Sequence, residues 1–240
     1  MIQSGMPQDT RPLYLFADSQ LLFWKSGGKL LLEGLAAGGA ALGAGGTIPA
    51  AYIGASNGDR PEFYSIFEGA MDAVGITERR MIGAAYDAGD REFLERAQLI
   101  VLAGGDVQRG WHTFETTGMK QEILARHAQG AVLVGVSAGA VQLGRRATAE
   151  TEDSSALELL DVFNLVPAII DVHDEHREWS RLSRTVHMLE GEITGVGIPT
   201  GGGLMVHPDG TFEALRRPVD EFSWDGSQIK HSILLPDAAE

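Results

Sequence analysis

The stretch that most constrains this chain is a buried apolar run followed at once by a serine between glycines. Residues 131–134 (Ala-Val-Leu-Val) form the run, and residues 135–140 (Gly-Val-Ser-Ala-Gly-Ala) follow it. The run is typical of a strand in a parallel sheet, and the small residues after it allow a tight turn into a helix. Such a turn exposes the Ser137 hydroxyl at the carboxyl end of the sheet, where reacting groups of α/β folds lie. Although Gly-x-Ser-x-Gly also occurs in ordinary turns, its place between strand and helix predicts a nucleophile.

Strand and helix signals alternate on both sides of this turn. Strands are predicted at residues 50–55, 80–84, 98–103 and 168–172, and helices at residues 59–75, 90–96, 119–129 and 175–189. This β-α-β alternation implies an α/β fold, with a doubly wound, mostly parallel sheet and helices on both faces. No Pro/Ser-rich linker or block of charge divides the chain, so we expect a single α/β hydrolytic domain over residues 1–240.

Other segments carry weaker signals. We interpret the apolar runs at 13–17 and 21–24 as a small hairpin or two edge strands, and residues 29–42 as a helix. Residues 148–155 are rich in Glu, Asp and Thr, which favours a solvated loop. A short helix and turn is expected at 157–166, and short strands are expected near the C-terminus.

Composition and charge restrict the classes of function. The chain has no cysteine, which excludes disulfides, thiolate zinc sites and cysteine nucleophiles. Its formal net charge of −14 argues against nucleic acid and anionic membranes as partners. Residues 1–12 lack the apolar core of a signal peptide, and residues 30–46 are too short and glycine-rich for a membrane span. We therefore expect a cytoplasmic protein, and a homodimer is left open.

A serine nucleophile needs a base, and His173 is the best placed of the seven histidines. It directly follows the predicted strand 168–172, so its imidazole would lie at the sheet edge that carries Ser137. The cluster of acids and histidines at residues 171–176 offers a metal site as an alternative. However, the spacings typical of zinc sites, such as His-x-x-x-His, are absent from it.

Two further groups of residues are expected around the serine. Gly104 and Gly105 end the predicted strand before that of Ser137, so the N–H groups of Gly105 and Ala138 could form an oxyanion hole. Candidates that would bind the charged ends of a substrate are Asn57, Gln108, Asp171 and Arg177.

The predicted helix 175–189 separates its arginines from its core-facing side. Arg181 and Arg184 fall opposite its apolar stripe, which favours solvation for both side chains. Arg177 stays a candidate because the first turn of the helix would lie at the sheet edge.

These residues resemble peptidase family S51. The resemblance rests on residues 135–140, on Gly104 and Gly105, and on residues 163–167 leading into Asp-Val-His at 171–173, and it runs from about residue 50 to 206. It implies a class I glutamine amidotransferase-like (flavodoxin-like) fold in which serine replaces the usual cysteine. It also implies a serine peptidase that cleaves next to aspartate, as do the aspartyl dipeptidases (peptidase E) and the cyanophycinases. Ser137 and His173 match the family's nucleophile and base.

The sequence departs from the family pattern at the third catalytic position. Cyanophycinases carry a glutamate in a Gly-Ile-Asp-Glu-like segment, whereas residues 197–201 here are Gly-Ile-Pro-Thr-Gly. Aspartyl dipeptidases take their acid from a position after the serine that corresponds here to Glu152, with Asp153 beside it. The resemblance therefore implies Glu152 as the residue that orients His173.

The implied reaction is acyl transfer from a small peptide that contains aspartate, and it needs no cofactor and no metal. The paired arginines of the family are matched only in part. Arg177 matches one of them, and Arg181 lies at a different spacing from the second. One alternative is a catalytically impaired family member that binds a peptide or amino acid without turnover. Another is an α/β-hydrolase esterase, which places its histidine near the C-terminus, so that His207 or His231 would act.

Overall fold

The computed structural model describes residues 11–39, 48–150 and 157–237, over which strands and helices alternate. The strands are β1 (Leu13–Phe16), β2 (Lys25–Ser26), β3 (Lys29–Leu30), β4 (Ala50–Ile53), β5 (Arg79–Ile82), β6 (Leu99–Leu102), β7 (Val132–Val136), β8 (Arg146–Glu150), β9 (Leu157–Asp161), β10 (Ala168–Val172), β11 (Thr194–Ile198), β12 (Gly203–Val206), β13 (Phe212–Leu215), β14 (Val219–Trp224) and β15 (Ile229–Leu234). The α-helices are α1 (Leu31–Gly39), α2 (Pro61–Ala73), α3 (Ala88–Leu94), α4 (Val107–Thr117), α5 (Met119–Ala128), α6 (Ala138–Leu143) and α7 (Ser180–Met188).

A seven-stranded sheet in the order β13-β12-β1-β7-β6-β4-β5 forms the centre of the fold. The five strands β1, β7, β6, β4 and β5 are parallel to one another. β12 pairs antiparallel with β1, and β13 pairs antiparallel with β12. Alternate residues enter two apolar clusters: Leu13 and Leu15 join one, and Tyr14 and Phe16 join the other. Both faces of the sheet are therefore covered, as parallel sheets require, and the predicted mostly parallel α/β class is confirmed.

The first strand lies in the middle of this sheet, so the prediction of a hairpin or edge strands at 13–17 and 21–24 is wrong. β1 pairs with β12 on one side and with β7 on the other. Residues Ser19–Phe23 form a 3-10 turn. A four-residue apolar run is compatible with either position, and only its pairing with distant strands places it at the centre.

A second sheet, in the order β10-β11-β14-β15, lies against the helix that follows β7. β10 and β11 are parallel, and β14 and β15 continue the sheet in antiparallel fashion. Trp179, Leu182 and Val186 pack α7 onto this sheet, and α6 contacts β10. The strand that precedes His173 therefore approaches the nucleophile turn from outside the central sheet.

Several predicted elements differ from the observed ones. Residues 157–166 begin with a strand, β9, because Leu157–Asp161 pairs with β8, and this pairing overrides the helix preference of a Leu-Glu-Leu-Leu run. Because of the same pairing, the solvated loop predicted at residues 148–155 begins inside strand β8. The helix predicted at residues 29–42 begins at Leu31, after the short antiparallel pair of β2 and β3. Helix α4 was not predicted. Among the described helices, none has the length and hydropathy to cross a lipid bilayer.

Candidate active site

Ser137 lies at the turn between β7 and α6 in a conformation that side chains rarely adopt. Its backbone angles are φ 50° and ψ −110°. The Ser137 N–H donates to the Phe16 carbonyl oxygen at 2.8 Å, and its carbonyl oxygen accepts from the Val141 N–H at 3.1 Å. Strain of this kind persists only where the surroundings fix it, and such positions cluster at functional sites.

Three glycines let the backbone close around that serine. A Cβ atom on Gly135 would lie 2.5 Å from the Gly139 carbonyl oxygen, and one on Gly139 would lie 2.4 Å from the Leu102 carbonyl oxygen. A Cβ atom on Gly104 would lie 3.2 Å from the Cβ atom of Ser137, so the end of β6 packs directly against the serine. The space around the turn thus requires the Gly-x-Ser-x-Gly pattern.

A cavity of about 240 Å³ opens beside Ser137. Residues around it include Gly105, Ser137, Ala138, Asp171, His173 and Arg181. The cavity therefore brings together the predicted nucleophile, the predicted base, both predicted oxyanion donors and one predicted binding residue. A larger cavity of about 650 Å³ lies beside α1 and β13, lined by Trp24, Leu35 and Leu215 among others, and it contains neither Ser137 nor a histidine.

The two predicted oxyanion donors, Gly105 and Ala138, line the same cavity as Ser137. Gly105 has φ +136°, and a Cβ atom there would collide with the Ser56 carbonyl oxygen at 2.2 Å. Within the described residues the Gly105 N–H donates no hydrogen bond, although the next N–H, that of Asp106, donates to Ser56 at 2.8 Å. Ala138 is the first residue of α6, so its N–H has no acceptor within the helix. Both groups are available to an anionic oxygen.

His173 follows β10 directly and lies on the same cavity. Its φ is 62°, and its N–H donates to the Ile198 carbonyl oxygen at 3.2 Å. The imidazole Nδ1 lies 3.4 Å from the Thr200 hydroxyl oxygen. In the described part of the chain the Ser137 hydroxyl forms no hydrogen bond, with His173 or with another residue. In ligand-free enzymes such bonds are often long and tighten when substrate binds.

The turn that carries Thr200 is held by two carboxylates. The Thr200 N–H donates to Glu175 Oε1 at 3.1 Å, and the Gly201 N–H donates to Asp18 Oδ2 at 2.6 Å. Asp18 comes just after β1, the strand whose last carbonyl binds the N–H of Ser137. None of these three side chains was predicted as a site residue, and the one signal for them was the altered Gly-Ile-Pro-Thr-Gly segment at residues 197–201.

Arg181 and Asp171 form an ion pair in the wall of the cavity. Its Nε donates to Asp171 Oδ2 at 3.2 Å, and a terminal nitrogen donates to Oδ1 at 2.5 Å. Burial raises the pKa of the Asp171 carboxyl, although the Arg181 guanidinium and the Val172 N–H oppose that shift. The prediction that Arg181 is solvated is wrong: its side chain lies at the edge of the apolar stripe of α7, next to the buried Leu182, and its guanidinium binds the Asp171 carboxylate.

The other predicted binding residues lie outside this cavity. Asn57 is buried and its amide donates to the Tyr52 hydroxyl at 2.9 Å. Gln108 is exposed on α4. Arg177 is exposed and lies 3.9 Å from a carboxylate oxygen of Asp174. Of the four candidates, only Asp171 of β10 lines the cavity beside Ser137.

Glu152 and Asp153 lie outside the described residues, in the segment between β8 and β9. The role of Glu152 therefore stays a prediction. His207 and His231, the bases of the esterase alternative, pair with Glu213 at 3.1 Å and with Asp220 at 2.7 Å, and neither lines the serine cavity. Among the residues described, no three His, Asp or Glu side chains are arranged to hold a metal ion.

Comparisons with known proteins identify a family and a shared fold. The model of the family described as Peptidase family S51 matches residues 49–213. No curated protein matches the sequence. The crystal structure of a peptidase from an acI-B1 actinobacterium is similar with a TM-score of 0.65 and 16% identity, over 95% of this chain and 96% of that chain. A protein of Listeria monocytogenes EGD-e, described as a candidate peptidase E, has a TM-score of 0.59 and 17% identity, over 86% and 98% of the two chains. These two similarities are evidence of a shared fold.

Proposed function

The chain belongs to peptidase family S51, and on that premise we propose that it hydrolyses a peptide bond next to aspartate through an acyl-enzyme on Ser137. The observation that carries the proposal is the single cavity shared by the strained serine, the His173 imidazole and two available N–H donors. A nucleophile, a base and an oxyanion site are what acyl transfer requires.

The proposed reaction follows from the positions of these groups. The imidazole Nε2 of His173 takes the proton of the Ser137 hydroxyl while the oxygen attacks the substrate carbonyl carbon. The negative oxygen of the tetrahedral intermediate accepts hydrogen bonds from the N–H groups of Gly105 and Ala138. The imidazolium then gives its proton to the leaving amine. In the second half of the reaction His173 takes a proton from water as the water oxygen attacks the acyl carbon, and the Ser137 oxygen leaves with that proton, which releases the acid product.

The pair of Arg181 and Asp171 supports a small zwitterionic substrate. It places opposite charges side by side at the cavity wall, and an amino-terminal aspartate likewise carries an amino group and a carboxylate close together. The volume of about 240 Å³ is below the range of roughly 300–1,000 Å³ typical of drug-sized ligands, which favours a dipeptide over a polymer. We therefore propose Asp-X dipeptides as first substrates and β-aspartyl-arginine units as the alternative.

The proposal also includes the setting of the enzyme. We place it in the cytoplasm, acting on small peptides without cofactor, nucleic acid or membrane, in keeping with its lack of cysteine and its net charge of −14. A catalytically impaired protein that binds such a peptide is the second candidate. It is favoured by one observation, the absence of a hydrogen bond from Ser137 to His173 in the described residues.

Hydrolysis assays with matched variants test the proposal. The protein is incubated with Asp-X, Glu-X and Asn-X dipeptides, a β-aspartyl-arginine dipeptide and a nitrophenyl ester, alongside Ser137→Ala, His173→Ala and the control His207→Ala. We expect cleavage of Asp-X peptides that falls at least about 10³-fold in the first two variants and persists in the control. Ester cleavage alone that survives His173→Ala would support the esterase. Tight peptide binding without turnover would support the impaired protein.

A further inference from the structure

We propose that Gln142 and Ser56 are positioning residues that hold the two oxyanion donors at a fixed separation, an inference that rests on the proposed function. Gln142 lies in α6, the helix that begins at Ala138, and Ser56 lies in the 3-10 turn Ala55–Asn57 that follows β4. Neither is among the described residues that line the serine cavity, and both are buried, with exposed fractions of 0% and 1%. They therefore act on the reaction through the backbone that they hold, without touching the substrate.

The Gln142 amide joins two separate segments of the chain to α6. Its Nε2 donates to the Val107 carbonyl oxygen at 2.9 Å and to the Ser56 hydroxyl oxygen at 3.1 Å. The Ser56 hydroxyl oxygen also lies 3.4 Å from Gln142 Oε1. The orientation of the amide follows from chemistry, because a carbonyl oxygen can only accept and so requires the NH₂ group to face Val107. Both protons of that group are then used, one on each partner.

The backbone of Ser56 extends this connection to the loop between β6 and α4, which carries Gly105. The Ser56 carbonyl oxygen accepts from the Asp106 N–H at 2.8 Å, which fixes the peptide group directly after Gly105. A Cβ atom on Gly105 would lie 2.2 Å from the same carbonyl oxygen, so the two segments are in close contact. Val107, the next residue, is bound by Gln142. The two residues that follow Gly105 are therefore tied to the turn after β4 and to α6.

A glycine on α4 makes room for the polar pair. A Cβ atom on Gly110 would lie 2.1 Å from Ser56 Oγ and 2.6 Å from Gln142 Nε2. The backbone of α4 therefore packs directly on these two groups and helps to keep them from solvent. Hydrogen bonds in such surroundings are stronger than in water, and a buried polar group that loses its partner is costly.

This network determines where the two oxyanion donors lie. Ala138 begins α6 and Gly105 lies just before α4, so the bonds from Gln142 link the two elements that carry the donors. Strands β7, β6 and β4 are neighbours in the central sheet, and the network joins the segments that follow all three. An oxyanion hole stabilises the transition state only when its donors reach the position of the developing charge. Loss of the link should therefore weaken transition-state stabilisation and leave substrate binding almost unchanged.

Three variants and one control, all of the full chain, test the inference. Gln142→Met keeps the approximate size of the side chain and removes both donated hydrogen bonds, whereas Ser56→Ala removes only one of them. The double variant replaces both polar partners by apolar groups. Arg126→Met is the control, because Arg126 also ties a helix, α5, to a backbone carbonyl oxygen, that of Ala97, at 2.8 and 3.1 Å. Ala97 lies before β6, at the end of the strand opposite to Gly105.

Steady-state kinetics on the best dipeptide, the rate of fluorophosphonate labelling at Ser137 and urea unfolding are measured for each protein. In Gln142→Met we expect kcat and the labelling rate to fall about 10–100-fold, with KM within about twofold, because displaced donors affect the transition state alone. The loss in Ser56→Ala should be smaller, since the bond to Val107 remains. The control should lower the urea midpoint and keep a normal kcat.

The double variant separates positioning from stability. Gln142→Met alone leaves the buried Ser56 hydroxyl without its partner, whereas the two apolar groups together do not, so the urea midpoint should recover part of its loss. The kcat should stay low, because the link between α4 and α6 is still missing. Recovery of kcat together with the midpoint would overturn the inference. So would a normal kcat and labelling rate in Gln142→Met or in Ser56→Ala.

The backbone amides of Gly105 and Ala138 provide a measurement that needs no substrate. In ¹⁵N relaxation-dispersion NMR we expect motion at both amides in Gln142→Met, and none in the wild type or in Arg126→Met. Identical relaxation in the wild type and in Gln142→Met would contradict the positioning role. If the amides respond as expected but the wild type neither labels nor cleaves, the proposed function is refuted and the positioning role stands.

Discussion

The N–H of Gly201 donates to the carboxylate of Asp18 at 2.6 Å, across 183 positions of the chain. Asp18 follows β1, and the last carbonyl of β1 binds the N–H of Ser137. The C-terminal end of β1 therefore hydrogen-bonds both to the turn that carries Ser137 and to the turn that carries Thr200, next to His173. This arrangement explains how residues from two different sheets reach the same cavity.

The first prediction concerns this link. Replacing Asp18 with Ala removes the acceptor of the Gly201 N–H, and the turn that carries Thr200 loses one of its anchors. We expect kcat for the best dipeptide to fall about tenfold, because small misplacements of positioning groups are costly. The free energy of unfolding should fall by about 1.5–3 kcal/mol, as for other hydrogen bonds to charged groups. Steady-state kinetics and urea unfolding measure the two effects.

Asp209→Ala is the matched control for this prediction. Its carboxylate also accepts a backbone N–H, that of Thr211 at 2.9 Å, but in the β12-β13 turn, outside the serine cavity. A loss of kcat in both variants would indicate a general destabilisation and would contradict the specific role of Asp18.

The second prediction concerns the oxyanion donor Gly105. An added Cβ atom would meet the Ser56 carbonyl oxygen at 2.2 Å, so Gly105→Ala must move the backbone that presents the N–H. We expect a loss of about 10²–10³-fold in kcat, the range for removal of one oxyanion donor. Fluorophosphonate labelling and dipeptide kinetics measure it. Gly34→Ala, in α1 with no atom within 4 Å of the new methyl group, should keep normal activity. Normal activity in Gly105→Ala would exclude this N–H from the reaction.

The nucleophile turn was predictable because its signals are local. Residues 131–140 contain the buried strand, the glycines and the serine, and each glycine is required by an atom close to the turn. The N-cap Asp87 before α3 is also a local signal, although the helix was predicted to begin at residue 90. The mostly parallel sheet followed from the regular alternation of such elements.

The partners of His173 were not predictable in this way. The strand that precedes it was identified, but its pairing with β11 depends on residues 194–198 and so places it in the second sheet. The Thr200 contact crosses 27 positions, and the Arg181 contact is made with Asp171 on a strand that the helical periodicity of residues 180–188 does not reveal. Pairings between distant segments are set by the whole fold and leave no periodic pattern in the sequence.

The third prediction concerns the ion pair in the cavity wall. Arg181→Met leaves the Asp171 carboxylate, which is 5% exposed, without its guanidinium partner. We expect a further rise in the pKa of Asp171 and a loss of about 1–3 kcal/mol in the free energy of unfolding, less than for a fully buried pair because Arg181 is partly exposed. The KM for Asp-X dipeptides should rise at least about tenfold. Urea unfolding and kinetics are the measurements.

Arg146→Met serves as the control for the ion pair. Arg146 is an exposed residue of β8 that lies 3.5 Å from the carboxylate of Asp161. Exposed pairs contribute about 0–1 kcal/mol, so stability and KM should change little. If KM rises for Glu-X and Asn-X as much as for Asp-X in Arg181→Met, the arginine does not select aspartate.

The last prediction concerns His127, a buried residue on α5 that is outside the serine cavity. Its side chain is 3% exposed, its Nδ1 faces the Ala131 carbonyl oxygen at 3.4 Å, and its Nε2 is buried without a hydrogen-bond partner among the described residues. Burial lowers the pKa of His127 below its ordinary value of 6.5, although the contact with the carbonyl oxygen opposes this. The unfolded chain therefore takes up a proton at a higher pH than the folded chain does.

The sign of the pH dependence follows from this difference. Above about pH 6.5 both states are neutral at this position, and the stability is unaffected. As the pH falls below that value, the unfolded state binds a proton first, so the free energy of unfolding falls by up to about 1.4 kcal/mol per pH unit until the folded state is protonated too. Urea unfolding between pH 7.5 and 5, in steps of ~0.5 pH units, measures how the free energy of unfolding changes with pH. We expect a smaller slope in His127→Gln. The control His176→Gln, at an exposed position, should leave the slope unchanged. A buried neutral imidazole must lower the free energy of unfolding at any pH at which only the unfolded chain is protonated. An identical slope in the wild type and in His127→Gln would therefore show that the acid sensitivity arises elsewhere.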